Sequence, residues 1–272
     1  MTGQLIARIE AHLDIRDRAV LADLERFRVL DTRQIQRLHF ADHATGLAAA
    51  RACNRTLLRL RAYQLIAPLD RRIGGVRRGS ASYIWQLAAT GERFLRHTRG
   101  QAHRRRFTEP SPYFVNHTLA VADIAIAIIE TEHQVASFTV EAIGTEPSNW
   151  RSYLGKGGEP RWLKPDLHVI TSTTAGEGAD SAGYEEHAFL EIDLGTEHLP
   201  RIQAKCQMYA AYATTGAYQA EHGLFPLVVW LSADPARRRA LRAAIAGTRG
   251  LPQELFTVAS PDQYPKDLGA EN

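Results

Sequence analysis

The stretch Phe189-Leu190-Glu191-Ile192-Asp193-Leu194-Gly195-Thr196-Glu197 decides the fold of the second half of the chain. Alternate side chains of a β-strand point to the same face, so Glu191 and Asp193 share one face of the predicted strand. The tract Lys164-Pro165-Asp166 precedes it at the start of another apolar run. If the two strands are neighbours, three carboxylates lie close together, and Lys205 follows on the next predicted helix.

Carboxylates that close repel one another unless a cation neutralises them or one remains protonated. Hard oxygen ligands favour Mg²⁺ or Mn²⁺, and the predicted metal ligands are Asp166, Glu191 and Asp193. Such a metal activates water for phosphodiester cleavage, and Lys205 would stabilise the developing negative charge. The predicted catalytic set is therefore Asp166, Glu191, Asp193 and Lys205. The alternative is a structural cluster in which Arg201 and Lys205 pair with the acids, each exposed pair contributing about 1 kcal/mol or less.

Length and composition predict an ordinary globular protein. The 272 residues suffice for two domains, and 44% apolar with 23% charged residues is typical of soluble proteins. We expect no membrane span, because no apolar stretch reaches about 18 to 20 residues. The N-terminus has no apolar segment typical of a secretory signal, so we expect a cytoplasmic protein. Cys53 and Cys206 have no metal or redox spacing and are predicted to be core residues.

The net charge of +3 conceals a strong asymmetry along the chain. Residues 1–110 contain 21 Arg, no Lys and 10 acidic residues, whereas residues 111–272 contain 12 basic and 20 acidic residues. A basic N-terminal part indicates a polyanionic partner, and Arg is suited to bidentate contacts with phosphate and guanine. A bias of the whole genome towards Arg codons explains the choice of Arg over Lys, but not its concentration in the first part.

The first part of the sequence predicts a winged helix-turn-helix domain over residues 1–99. Hydrophobic periodicity predicts helices at residues 14–27, 32–40, 45–63 and 88–97, and strands at residues 65–67 and 81–87. Three helices followed by a β-hairpin are typical of this fold, in which the third helix reads the major groove of duplex DNA.

The predicted DNA-binding residues lie in three segments. The reading helix contributes Arg51, Asn54, Arg55 and Arg59; the hairpin tip, which would be the wing, contributes Arg71, Arg72, Arg77 and Arg78; the predicted linker, residues 100–112, contributes Arg104, Arg105 and Arg106. Arg and Asn on a helix face read bases, while flexible cations on a loop contact phosphates. The alternative is that these residues form solvated polar surfaces.

The second part, residues 113–260, predicts a restriction-endonuclease-like αβββαβ domain. A helix is predicted at residues 117–132, then strands at 134–142, 162–170 and 187–194, a helix at 198–212 and a strand at 224–232. A further helix at 234–246 and a strand at 254–259 precede a tail, residues 261–272. The complete prediction is a mixed α+β and α/β protein, with a winged helix joined to this nuclease-like domain.

The Pro165-Asp166 tract, the stretch from Phe189 to Glu197, and Lys205 with Tyr209 resemble the replication-relaxation family over about residues 16–232. Those bacterial proteins are encoded largely on plasmids and other mobile elements, and some are related to mobilisation accessory proteins of conjugation. The resemblance implies a winged helix joined to a PD-(D/E)xK nuclease-like domain. By this resemblance, Asp166 and Glu191 match the two acids of the PD-(D/E)xK pattern, and Asp193 stands where the pattern has its lysine. Lys205 is then a candidate for a lysine that has moved from that position to the next helix.

The sequence thus predicts a cytoplasmic, double-stranded DNA-binding protein that acts in replication, relaxation or transfer of a plasmid or other mobile element. A homodimer is expected, with a relaxase or replication protein as a partner and no membrane association. The first alternative is an active Mg²⁺-dependent endonuclease. The second is a winged-helix transcription regulator whose C-terminal domain dimerises or senses a ligand, because fold alone does not fix function.

Overall fold

The computed structural model describes residues 3–69, 83–100, 112–155, 157–174 and 183–268. The chain is a mixed α/β protein that divides into two compact units, Met1–Ile126 and Ala127–Asn272. The division lies inside the long helix α6 (Pro112–Gln134). Most of the predicted linker lies outside the described residues, so the domain boundaries at 99 and 113 stay a prediction.

Within the described residues, the first unit forms a three-stranded antiparallel sheet in which the third strand in sequence lies between the first and the second. In chain order its elements before α6 are α1 (Gly3–Glu10), α2 (Ile15–Phe27), β1 (Val29–Asp31), α3 (Thr32–His39), α4 (Gly46–Ala62), β2 (Ile66–Pro68), β3 (Ile84–Leu87) and α5 (Ala89–Thr98). The helices agree with the predicted ones within two residues, whereas α1 and β1 are not predicted.

Local sequence signals explain where these helices start and how they pack. Asp14 caps α2 and Asp31 caps α3, each with a reciprocal capping box to the third helical residue. Apolar residues recur on one side of α4, where Cys53, Leu57 and Leu60 are buried. Such amphipathic helices bury their apolar stripe and leave the opposite face in solvent.

Helix α5 approaches the backbone before β2 unusually closely. A Cβ atom at Gly91 would lie 2.1 Å from the carbonyl oxygen of Leu65, a separation that a real side chain does not adopt. Ala88 N also donates a hydrogen bond to Leu65 O at 2.9 Å. Glycine at position 91 therefore permits this contact between helix and strand.

The elements of the second unit within the described residues are β4 (Phe138–Thr145), β5 (Arg151–Leu154), β6 (Pro160–Leu163), β7 (Leu167–Thr174), β8 (Gly183–Ile192), α7 (Leu199–Ala213), α8 (Ala217–His222), β9 (Leu227–Leu231), α9 (Pro235–Ala246), β10 (Phe256–Ala259) and α10 (Tyr264–Leu268). They form a five-stranded mixed sheet in the order β10-β9-β8-β7-β4, and a separate hairpin pairs β5 with β6. Strands β4, β7 and β8 pair antiparallel, whereas β8, β9 and β10 pair parallel.

The single strand predicted at residues 162–170 is in fact two strands. Strand β6 ends at Leu163 and pairs with β5, while β7 begins at Leu167 and pairs with β8. Pro165 separates them because proline lacks the amide donor that a ladder needs and restricts the residue before it. Strand β5 and the short helices α8 and α10 are not predicted by the sequence pattern.

One face of the five-stranded sheet forms the main core of the second unit. Phe189, Val228 and Trp230 are buried on this face, in one cluster with Ile202, Cys206 and Tyr209 of α7 and Leu241 of α9. Cys53 and Cys206 are both buried and free, as predicted. Because Glu191 lies two residues after Phe189 on β8, its side chain enters this core beneath α7.

Among the described residues, one helical segment, Phe114–Gln134, has the length and apolar composition of a membrane span, and half of the relevant window is buried in the protein. The sequence analysis did not identify it, because Asp123 and Glu130 interrupt the apolar run. A core helix of a soluble protein passes the same test, so this segment is weak evidence for a span.

Candidate functional site

The structure brings Asp166 and Glu191 together at neighbouring strands. Asp166 N donates to Leu190 O at 3.1 Å, which extends the β7–β8 ladder by one residue. The amide of Ile192 donates in return to Asp166 Oδ2 at 2.7 Å. The Asp166 carboxylate is thus held against the strand backbone beside Glu191, as the sequence pattern predicts.

Two residues of α7, one turn apart, bind the two oxygens of the Glu191 carboxyl group. Lys205 Nζ donates to Oε2, and the Tyr209 hydroxyl donates to Oε1. Glu191 is almost completely buried. The predicted contact of Lys205 with the acids is therefore present, and Tyr209 adds a second hydrogen bond to Glu191.

Burial controls the ionisation of this cluster. It raises the pKa of Glu191 to about 8, the negative charge of Asp166 acts in the same direction, and Lys205 and Tyr209 oppose the shift. Burial alone would lower the pKa of Lys205, but attraction to Glu191 and Asp166 raises it above its ordinary value. Lys205 is therefore a cation at every physiological pH.

Asp193 is occupied by a different partner, Arg237 of α9. Arg237 Nε donates to Asp193 Oδ2 at 2.6 Å, and its Nη2 donates to Oδ1 at 3.2 Å. Gly195 N also donates to Asp193 Oδ1, at 3.1 Å. Arg201, which the structural alternative paired with the acids, instead lies 3.5 Å from Glu197 at an exposed position. Arg237 is a structural contact that only the Arg-rich composition of its helix could have suggested.

The three carboxylates do not form an open ligand set for a divalent ion. Each accepts hydrogen bonds from protein donors, and Glu191 and Asp193 use both of their oxygens in this way. Among the described residues, no group of three or more His, Cys, Asp or Glu side chains could hold a metal ion. The arrangement is a buried network of hydrogen bonds that includes the Arg237–Asp193 ion pair, and binding of Mg²⁺ or Mn²⁺ at Asp166, Glu191 and Asp193 stays a prediction.

A second candidate surface lies on helix α4. Arg51, Asn54 and Arg55 are all exposed, and within the described ranges no residue pairs with any of them. Leu47 and Leu58 are also exposed, at 62% and 61%, on the same helix. Spacings of three and four residues put Leu47, Arg51, Asn54 and Leu58 on one side of α4. This helix therefore presents free cations, an amide and apolar groups to solvent together.

Arg59 of the same helix has a structural contact. Its Nη2 donates to Asp17 Oδ1 at 2.6 Å and lies 3.2 Å from Asp14 Oδ2. The Asp17 side chain is completely buried, so Arg59 neutralises a buried charge at the start of α2. The remaining predicted DNA-binding residues lie outside the described residues: Arg71, Arg72, Arg77, Arg78, Arg104, Arg105 and Arg106.

A buried chain of hydrogen bonds lies on the same sheet face as Glu191. The Tyr218 hydroxyl lies 2.7 Å from His168 Nε2 and 2.5 Å from His187 Nδ1. Arg151 Nη2 lies 3.1 Å from His168 Nδ1, and His187 Nε2 contacts the carboxylate of Glu185. Burial, together with repulsion from Arg151, lowers the pKa of His168 to about 3. The sequence analysis missed this series of hydrogen bonds because it did not predict α8, which carries Tyr218.

The Replication-relaxation family model matches residues 21–228. This range starts in α2 and ends in β9, so it includes the exposed face of α4 and all of Asp166, Glu191, Asp193 and Lys205. No curated protein and no solved structure matches the chain. The match covers well over half of the 272 residues. The chain therefore belongs to the replication-relaxation family, and this membership supports a role in replication or relaxation of mobile elements.

Proposed function

We propose that the chain is a double-stranded DNA-binding protein that acts in the cytoplasm, in replication, relaxation or transfer of a plasmid or other mobile element. In this proposal it works as a homodimer beside a relaxase or replication protein. The observation that carries the proposal is the exposed face of α4, where Arg51, Asn54 and Arg55 have no partner among the described residues. Buried or paired cations could not reach a DNA backbone.

The order of elements around α4 supports a winged helix-turn-helix. Helices α2, α3 and α4 precede the strands β2 and β3, and β1 completes the antiparallel sheet. In such a domain the third helix enters the major groove and the hairpin between the last two strands forms the wing. The proposed wing is residues 70–82, which include Arg71, Arg72, Arg77 and Arg78.

The side chains on α4 have the chemistry that base reading requires. Arg binds the two acceptors of guanine, Asn binds adenine, and exposed apolar groups contact the thymine methyl group. Arg51, Asn54 and Arg55 supply the first two kinds of group, and Leu47 or Leu58 supplies the third. Arg59 contributes by fixing α4 to α2 through Asp17.

Binding to duplex DNA tests the proposal directly. Fluorescence anisotropy would be measured with labelled duplex fragments of the mobile element that encodes the chain, at several salt concentrations. We expect Arg51→Ala and Arg55→Ala each to weaken binding about tenfold. If the removed arginine contacts a phosphate, the slope of log affinity against log salt concentration should also fall by about one. Arg93→Ala, an exposed arginine on α5, is the matched control. Unchanged binding by both α4 variants would refute the assignment of the reading helix.

The second candidate function is a metal-dependent DNA endonuclease. It is favoured by the contact between Lys205 and Glu191 beside Asp166. The order α6, β4, β7, β8, α7, β9 also supports a nuclease-like core. The test incubates supercoiled plasmid carrying the bound sequence with Mg²⁺ or Mn²⁺. Nicking that disappears in Asp166→Ala and Lys205→Ala would support an enzyme, and no nicking of bound DNA by the wild-type protein would refute it.

A further inference from the structure

The hairpin β5–β6 has one buried face and one exposed face. Tyr153 and Leu163 are buried, whereas the cross-strand partners Ser152 and Trp162 lie on the other face. Trp162 remains 51% exposed, and Leu154 is 68% exposed. A tryptophan that is half exposed on a regular strand loses little conformational entropy when a ligand covers it, so it is suited to binding.

The exposed indole of Trp162 stands on a rigid base. Tyr153 packs on Tyr212 of α7 with 5.6 Å between ring centroids, and Leu163 is completely buried. Trp150 packs edge-on against Trp162 with a centroid distance of 6.3 Å. These contacts fix the orientation of the Trp162 ring without covering it.

A cation lies beside the two indoles. Lys164 Nζ is 3.9 Å from the centroid of the Trp150 ring, and in the described part of the chain no carboxylate pairs with this ammonium group. A cation held over an aromatic ring is attracted by the ring and remains available to an anion on its open side. The surface formed by Trp150, Trp162 and Lys164 therefore combines a π-face with a positive charge.

This surface is fixed to the segment that carries Asp166. Lys164 is two residues before Asp166 in the chain, and Asn149 Nδ2 donates to Pro165 O at 2.7 Å from a buried position. A ligand bound by Trp162 and Lys164 would therefore contact the segment that leads into Asp166.

We propose that Trp162 and Lys164 bind an unpaired DNA base and its phosphate. This inference rests on the proposed DNA function and names the form of DNA that the second unit contacts. An aromatic side chain stacks on a base only if that base has left the duplex stack, whereas the ammonium group neutralises the adjoining phosphate. The ligand is therefore DNA with a single-stranded gap, bulge or strand end. A protein partner would instead depend mainly on the exposed apolar groups of this face, Leu154 and Trp162, and not on Lys164.

The experiment compares two labelled DNAs of the same sequence, one fully paired and one with a short single-stranded gap, by fluorescence anisotropy. The gapped DNA is expected to bind more tightly to the wild-type protein. Trp162→Ala should reduce that binding about tenfold and leave the binding of the paired duplex unchanged, because stacking of about one base is lost. Trp162→Phe should keep most of the affinity, and Lys164→Ala should reduce the salt dependence of gapped-DNA binding. Leu154→Ala, on the same exposed face but without a ring, is the control.

The outcomes separate this inference from the proposed function. Equal binding of gapped and paired DNA, or an unaltered affinity of Trp162→Ala with a wild-type circular dichroism spectrum, overturns the inference while duplex binding stands. Equal losses in Trp162→Ala and Leu154→Ala overturn it as well, because they indicate apolar docking. Binding of gapped DNA without any binding of duplex DNA supports the inference and refutes the assignment of α4 as the reading helix.

Discussion

Arg237 donates two hydrogen bonds to Asp193, from Nε to Oδ2 at 2.6 Å and from Nη2 to Oδ1 at 3.2 Å. Asp193 directly follows β8, and two residues before it Glu191 accepts a hydrogen bond from Lys205. Lys205 lies on α7 and Arg237 on α9. Two different helices thus supply one cationic side chain to each of these two neighbouring acids.

Removing Arg237 should destabilise the fold strongly. The Asp193 side chain is almost fully buried, and an uncompensated buried charge costs about 3 kcal/mol or more. We expect Arg237→Leu to lower the free energy of unfolding by about that amount, and Asp193→Asn in the same chain to restore part of it. Urea denaturation measures both. Arg201→Ala, which removes a largely exposed pair with Glu197, is the control and should cost less than about 1 kcal/mol. A larger loss of stability in Arg201→Ala than in Arg237→Leu would contradict the stabilising role of the buried pair.

Glu191 should make the protein less stable as the pH rises from about 5 to about 8. Its pKa rises from the ordinary 4.5 to about 8 in the folded state, so the folded chain holds a proton that the unfolded chain has lost in this range. The stabilisation is complete below about pH 4.5 and is lost as the pH passes about 8. Unfolding free energies at several pH values should show this decline in the wild-type protein and a flatter profile in Glu191→Gln. Parallel profiles of unfolding free energy against pH in the two proteins would exclude the raised pKa of Glu191.

His168 should have the opposite effect at acidic pH. Burial lowers its pKa from 6.5 to about 3. Between these two pH values the unfolded chain therefore binds a proton at His168 that the folded chain does not bind. The stability that it contributes is present above about pH 6.5 and is lost as the pH falls towards 3. The loss of unfolding free energy between pH 6.5 and 4 should be smaller in His168→Gln than in the wild-type protein. Tyr218 contacts both histidines, so the comparison should also include Tyr218→Phe, in which His168 still titrates and the acid slope should persist.

Gly91→Ala should destabilise the first unit, because the new Cβ would lie 2.1 Å from Leu65 O and the helix or strand must move. We expect a loss of about 1 to 3 kcal/mol in unfolding free energy, as for other overpacked sites. Gly46→Ala is the control, since a Cβ at Gly46 meets nothing within 4 Å and alanine favours a helix. Thermal denaturation would show a lower midpoint for Gly91→Ala alone. Equal midpoints would show that α5 can shift without cost.

The sequence predicted elements whose signals are local. Hydrophobic periodicity, including the apolar stripe around Leu57, located the helices of the first unit, and the alternation around Glu191 located β8. It also placed Asp166 and Lys205 beside Glu191, because strand order and helix period constrain them. Pairings of residues far apart in the chain could not be predicted in the same way. Arg237 follows Asp193 by 44 residues, and nothing in its local pattern distinguishes it from neighbouring arginines.

The contacts of Tyr218 fix the positions of protons inside the second unit. Arg151 can only donate, so His168 Nδ1 must accept and His168 Nε2 must carry hydrogen. The Tyr218 hydroxyl oxygen then accepts from His168 Nε2, and on its other side it contacts His187, which in turn contacts the exposed carboxylate of Glu185. His168 is thus fixed as its Nε2–H tautomer. Five groups in contact run from strand β5 to the protein surface, and the first of their bonds cannot reverse because arginine has no acceptor.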